Sequence, residues 1–234
     1  MDRRTFLLSS AATAGATVLP AIPAFAQAAS ETTPAPGDAR LNAVFDQVLA
    51  ETVRESPEFA TSLGFDTGKN ADLRHKLGDN SYGAIAKNLA RSRKAQALVR
   101  AVDPATLSPQ ARIDREVVLY NIQSNMIGPE KFGLSSPQGP YPISQQDGVY
   151  FSLPDFLAST HPVKTADDAQ AYLDRLSLMG RQLDNETEVQ RREAAKGRLA
   201  PDFSLDLALG QMAKLRAPAP ADSQLVKALT SRTS

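Results

Sequence analysis

The chain has 234 residues with 26 basic and 26 acidic side chains, so no net charge draws it toward nucleic acid or an anionic membrane. It has no cysteine, which excludes disulfides, thiolate metal sites and cysteine nucleophiles together. Its 42% hydrophobic content is that of a globular protein with enough chain for one sizeable core.

At the N-terminus, Arg3-Arg4 precede a modestly apolar run from Phe6 to Leu19 that is rich in Ala, Ser, Thr and Gly. This reads as a twin-arginine export signal, with the small residues of Ala24-Phe25-Ala26 placing cleavage after Ala26. The alternatives are an ordinary Sec leader or an uncleaved anchor, but the run is short and weakly apolar for a stable membrane anchor. The twin-arginine translocase would then be a partner and the location periplasmic or secreted. Residues 27–38, with Pro34 and Pro36, read as a disordered spacer, and 39–234 as the helical domain.

Within that domain, Leu41, Val44, Phe45, Val48 and Leu49 fall at amphipathic-helix spacing over 38–55. Ser56-Pro57 signals a new helix with a capping serine, ended by Gly64, and a turn-rich passage follows. A helix is predicted over 81–102, its Lys87, Arg91, Arg93, Lys94 and Arg100 reading as a solvated face. Ser108-Pro109 opens the next helix and Gly128-Pro129 is expected to stop it. Ile113, Val117, Val118, Leu119, Tyr120, Ile122, Met126 and Ile127 cover more than one of its faces, which predicts the most buried helix of the chain.

The stretch 139–162 holds four prolines, two glycines and the aromatics Tyr141, Tyr150, Phe151 and Phe156, which predicts one long ordered loop. Beyond it, Thr165 and Asp168 resemble a capping box opening a helix that closes near Gly197. Residues 202–216 fit both a strand and a helix pattern, and the longer helical repeat favours helix. The fold class is therefore all-α, a multi-helix domain with one Pro- and aromatic-rich loop.

For chemistry, His75 and His161 lack the i, i+4 spacing of a helical zinc site, and HExxH, GxSxG and phosphate-loop motifs are absent. Asp167 and Asp168 are explained by a helix N-terminus. In the central loop, Tyr141, Gln145, Gln146, Asp147, Tyr150 and His161 offer aromatic faces with amide, carboxylate and imidazole groups, a mixture suited to a peptide or sugar ligand. The alternative is that the loop aromatics only pack into the helical core.

The runs SPEFATSLGFDTG at 56–68, LSPQARIDREVVLY at 107–120, PYPISQQDGVYFSLPDFLASTHPV at 140–163, DDAQAYLDRLS at 167–177 and GRLAPDFSLDLALGQM at 197–212 resemble the N-terminal portion of the bacterial domain-of-unknown-function family 885. The resemblance implies an exported, largely helical, zinc-peptidase-like protein whose longer members hold zinc through a C-terminal HExxPGH-type motif. No position here matches that motif, so no zinc ligand and no cofactor is assigned to this chain. The implied function is an N-terminal fragment, inactive alone. The alternative is a periplasmic helical binding or structural module using the central aromatic loop. A missing second half predicts self-association through apolar surface on 202–216 and on the tail with Leu225, Val226 and Leu229.

Overall fold

The computed structural model of the chain describes residues 35–136, 139 and 141–233. The export signal with Arg3, Arg4 and Ala26, and the spacer as far as residue 34, lie outside the described residues. Helix α1 (Asp38–Glu55) buries Leu41 and Val53 from its apolar stripe, and the short α2 (Pro57–Ser62) starts on its proline. Ser56 precedes α2 without a side-chain capping bond, so proline and backbone geometry alone start that helix. A 3-10 segment (Gly68–His75) leads to α3 (Tyr82–Arg100), and α4 (Pro109–Phe132) follows, capped by Ser108 Oγ accepting from the Ala111 N–H. The second half contains α5 (Val149–Asp155), a π turn (Phe156–Thr160), α6 (Ala166–Ala194), α7 (Asp202–Arg216) and α8 (Gln224–Thr233). No strand occurs among the described residues, and the fold is all-α.

Three apolar clusters hold these helices. Leu41, Val99, Val102, Leu107 and Leu119 join α1, α3 and α4. Val53, Ala60 and Leu73 seat α2 and the 3-10 segment on the end of α1. Leu153, Leu157, Tyr172 and Met179 gather α5, the π turn and α6, with Leu215, Leu225 and Leu229 packed over them. Each fully buried leucine contributes about 1.5–3 kcal/mol.

Several expectations are corrected here. The irregular part of the central stretch ends at Gly148, and 149–160 is helical. Val149, Leu153, Phe156 and Leu157 repeat at helical spacing, and the helix runs on from Pro154 into the π turn, closed by the His161 N–H donating to the Phe156 carbonyl at 2.9 Å. Helix α4 runs through Pro129 to a left-handed cap at Gly133 (φ 59°), where Arg198 donates to the carbonyls of Phe132 and Gly133, both at 2.7 Å. Nor is α4 the most buried helix: Leu119 and Met126 face inward, while Ile113, Val117, Tyr120 and Ile127 form an exposed stripe. Its apolar residues cover two faces, and α1 and α3 cover only one.

The tail is docked: Leu225 and Leu229 sit on the third cluster and the Tyr172 hydroxyl donates to the Leu225 carbonyl at 2.7 Å. Exposed apolar side chains on α7, namely Phe203, Leu207 and Leu209, do occur. Finally, the last residues of the expected spacer are fixed. The Gly37 N–H donates to the Thr106 carbonyl at 3.0 Å, and a Cβ there would lie 2.2 Å from Thr106 Oγ1, so only glycine fits.

Candidate functional site

Helix α6 carries both polar centres of the molecule. Its buried side follows the 3-4 spacing 175, 179, 182, 186, 189, 193, and three of those six positions are charged: Arg175, Glu186 and Glu193. Glu193 is fully buried and is neutralised by Lys196 and Arg198, each at 2.8 Å. Through its bonds to the end of α4, Arg198 also fixes where that helix stops, ahead of the turn at 141–148.

That segment is shaped by its own polar side chains. Ser144 Oγ accepts from the N–H groups of Gln146 and Asp147, both at 3.1 Å, and donates to Asp147 Oδ2 at 2.8 Å, closing a tight turn. The buried Tyr150 hydroxyl lies 2.7 Å from both the Ser144 carbonyl oxygen and Gln211 Oε1, tying the turn to α7. Ser204 Oγ donates to Gln145 Oε1, a second tie to α7. Gly148 has φ 118°, and a Cβ there would lie 3.3 Å from Glu186 Oε2 and from the Tyr150 ring. The Glu186 carboxylate can therefore reach over Gly148 and accept the Val149 N–H with both oxygens at 3.0 Å, satisfying the first orphan donor of α5.

Between this turn, the start of α3, α6 and the start of α7 lies a cavity of about 660 Å³. It has the size of a small-ligand or peptide-side-chain site. Tyr141 and Phe203 supply aromatic faces, Asn80, Asn88 and Gln145 amides, and Asp79, Asp147 and Glu186 carboxylates. Ser135 Oγ, also in the wall, is buried without a hydrogen-bond partner. Asp79 is held below the usual carboxylate range by hydrogen bonds from Ser81, and Lys87 lies 3.3 Å from it. Glu186 behaves in the opposite way. Burial, which the Val149 N–H only partly offsets, pushes its pKa up to about 7, and the Asp147 charge adds to the rise.

Of the sequence-predicted site residues, Tyr141, Gln145 and Asp147 line the cavity. Tyr150 stands behind the turn as a buried support, and Gln146 is exposed outside the lining. His161 is not brought to the cavity at all. It is 1% exposed, and its Nε2 lies 2.9 Å from the Asp168 carbonyl while Nδ1 lies 2.8 Å from Arg175 Nη1. A carbonyl only accepts and a guanidinium only donates, so His161 is the neutral tautomer with its proton on Nε2. Burial lowers its pKa, and the nearby Arg175 and Arg232 charges act in the same direction.

Arg175 is the centre of this second cluster and is fully buried. It donates to the Lys76 carbonyl at 2.9 Å, Thr61 Oγ1 at 2.8 Å and the Leu73 carbonyl at 3.1 Å, and its guanidinium carbon lies 5.0 Å from the Phe156 ring centroid. Burial brings its pKa down to about 10, so it stays charged. Around it, Arg74 bridges Asp66 (3.1 Å) and Asp168 (2.6 Å), while Asp168 Oδ2 accepts the N–H groups of Lys164 and Thr165 and completes the capping box. Arg232 on α8 donates to the carbonyls of His161 and Leu157, both at 2.9 Å.

The described residues do not fit the zinc that the resemblance implies for longer relatives. Among them no three His, Cys, Asp or Glu side chains are grouped to hold a metal. His75 has Asp174 2.6 Å from Nδ1 and Asp167 3.6 Å from Nε2, so the two carboxylates sit at opposite edges of the ring and cannot converge on one ion. Both ring nitrogens of His161 are already engaged.

Sequence reasoning overlooked Glu186, Phe203 and Ser204 as site residues. One signal was present for Glu186, a carboxylate where the apolar series Tyr172, Leu176, Met179, Leu183 calls for another apolar side chain. A second groove, of about 820 Å³, lies along α5, α7 and α8. Its lining is of mixed charge, with Lys214, Lys227, Asp155 and Asp222.

Comparison with known proteins gives one match. The model of the family described as "Bacterial protein of unknown function (DUF885)" covers residues 57–234. No curated protein and no solved structure matches the chain.

Proposed function

The chain belongs to the DUF885 family of bacterial proteins, and from that premise we propose that it is a ligand-binding helical portion of an exported, zinc-peptidase-like protein. Its role in this reading is to bind a peptide segment in the cavity between the 141–148 turn and α6, not to supply the metal centre. Export is part of the proposal and rests on the Arg3-Arg4 leader with cleavage after Ala26.

The observation that carries the reading is the cavity itself. About 660 Å³ of space is lined by two aromatic faces, amides and carboxylates, held by the 141–148 turn and by α3, α6 and α7, as a peptide side chain or terminus requires. The loop is braced by Tyr150 and Gln211 behind it and by Ser204 and Glu186 in the wall, so the site is formed before a ligand arrives. The chain has no tryptophan, and tyrosine fluorescence can report on the site through Tyr141.

The test is titration of the full chain with a mixed pool of short synthetic peptides, followed by calorimetry on those that bind. Saturable binding that Tyr141→Ala weakens about tenfold is the expected result. Failure of every peptide to bind, or one tightly held zinc per chain with peptidase activity, would sink the proposal. Mass spectrometry of the secreted N-terminus checks export, with Gln27 as the expected first residue.

A further inference from the structure

Resting on the reading of the cavity as a peptide site, we propose that the group it selects is a cationic amine, either a lysine side chain or a free peptide N-terminus. The lining decides the sign of the ligand. No lysine, arginine or histidine is among the described residues that line the cavity, and the sequence contains no lysine or arginine between Lys131 and Lys164. Three carboxylates reach the space from three different elements, and only Asp79 enters an ion pair, with Lys87 at 3.3 Å. Asp147 and Glu186 enter none.

Glu186 carries the inference furthest. Among the described residues its only hydrogen-bond partner is the Val149 N–H, which both carboxylate oxygens share at 3.0 Å. This is an uncompensated carboxylate in a largely desolvated wall, with a second carboxylate on the facing turn. Buried charges in folded proteins are paired or bound to a counter-ion, and the fully buried carboxylates here obey that, Glu193 with two cations and Asp168 with Arg74, whereas the half-buried Glu186 has none among the described residues. A ligand ammonium would complete the same arrangement at Glu186. An anionic ligand would instead place a third negative charge beside Asp147 and Glu186.

The surrounding groups suit an amine as well. The exposed faces of Tyr141 and Phe203 can hold a cation by its attraction to the ring quadrupole. The 820 Å³ groove lacks this one-sided character, since Lys214 and Lys227 share its lining with Asp155 and Asp222.

Four tripeptide probes separate the possibilities in calorimetric titrations of the full chain at pH 8 and fixed ionic strength. They are acetyl-Ala-Lys-Ala-amide, Ala-Ala-Ala-amide with a free amine, acetyl-Ala-Ala-Ala-amide and acetyl-Ala-Glu-Ala-amide. One or both amine probes should bind about tenfold tighter than the neutral one, and the acidic probe weakest, as a charge-assisted contact requires. Which amine probe leads distinguishes side chain from terminus. In E186Q the gap between amine and neutral probes should shrink to within about threefold. Should E186Q not fold, Asp147→Asn on the exposed turn serves the same purpose. Equal binding of all four probes overturns charge selection while leaving the peptide site standing. So does an amine preference unchanged in both variants. Binding by none of the probes overturns the peptide site and the selection together.

Discussion

Arg175 and Glu186 stand on the same side of one helix, about 16 Å apart along its axis, and the molecule treats their charges in opposite ways. Around Arg175 the polar valences close on one another: guanidinium to carbonyls, hydroxyl and imidazole, with Arg74 joined to Asp66 and Asp168. Around Glu186 the valences stay open, with one shared N–H, no cation and a cavity in front. A closed polar cluster joins α2, the 3-10 segment, the π turn and α8 to α6. An open one costs stability until a counter-charge completes it, which a ligand would supply under the proposed reading. Burial of a charged side chain therefore does not distinguish structure from function here, whereas completeness of its partners does.

The most severe way to break the comparison is Arg175→Met. It leaves Thr61, His161 and the carbonyls of Pro57, Leu73 and Lys76 without their shared donor, and the expected loss is at least about 3 kcal/mol, a large part of the stability of a domain this size. Urea unfolding measures it. A loss under about 1 kcal/mol would show that the cluster is not the keystone.

Glu186→Gln should act in the other direction. A carboxyl whose folded pKa is about 7 against 4.5 unfolded binds more protons when folded, so its contribution is full below pH 4.5 and is lost as pH rises through 7. Glutamine cannot ionise and can still accept the Val149 N–H. The variant is expected to be more stable than the parent by about 1–3 kcal/mol at pH 8, with no gain at pH 4. His161 has the opposite slope: its lowered pKa makes stability fall as pH drops below 6.5. Melting curves from pH 4 to 8 on parent and E186Q separate the two slopes. An E186Q curve parallel to the parent would refute the raised carboxyl.

Gly148→Ala tests whether the open side depends on one backbone angle. A φ of 118° and a Cβ 3.3 Å from Glu186 predict a loss of about 1–3 kcal/mol together with weaker probe binding. Unchanged stability would mean that the turn relaxes freely. The smallest effect on stability is expected from Tyr141→Ala, within about 0.5 kcal/mol because the side chain is exposed, yet with the largest effect on ligand binding per unit of stability lost. If it unfolds the chain, Tyr141 packs as a core residue and lines no functional site.

What the sequence determined by itself is what neighbouring residues decide among themselves. The helices α1, α3, α6 and α7 follow from apolar periodicity, the start of α4 from Ser108 and Pro109, and the start of α6 from the Thr165 and Asp168 capping box, all interactions within a few residues. Two proline signals misled. Helix α4 continues past Pro129 and ends instead at the Gly133 cap, where Arg198 binds the Gly133 and Phe132 carbonyls from 65 and 66 residues away. Pro154 did not make a loop because Leu153 and Leu157 are buried in the third cluster.

The site was legible in part, since Tyr141, Gln145 and Asp147 share one turn and its composition marks it. The remaining parts were settled by the tertiary structure alone. His161 and Arg175 meet across 14 residues, Arg175 reaches Thr61 across 114, and Glu186 reaches Val149 across 37. A charged side chain reads the same in a sequence whether its partners are present or missing. Only the packing of distant helices decides which charges are neutralised and which are left facing a cavity, because burial and partnership are properties of the space around a residue and not of the residues beside it.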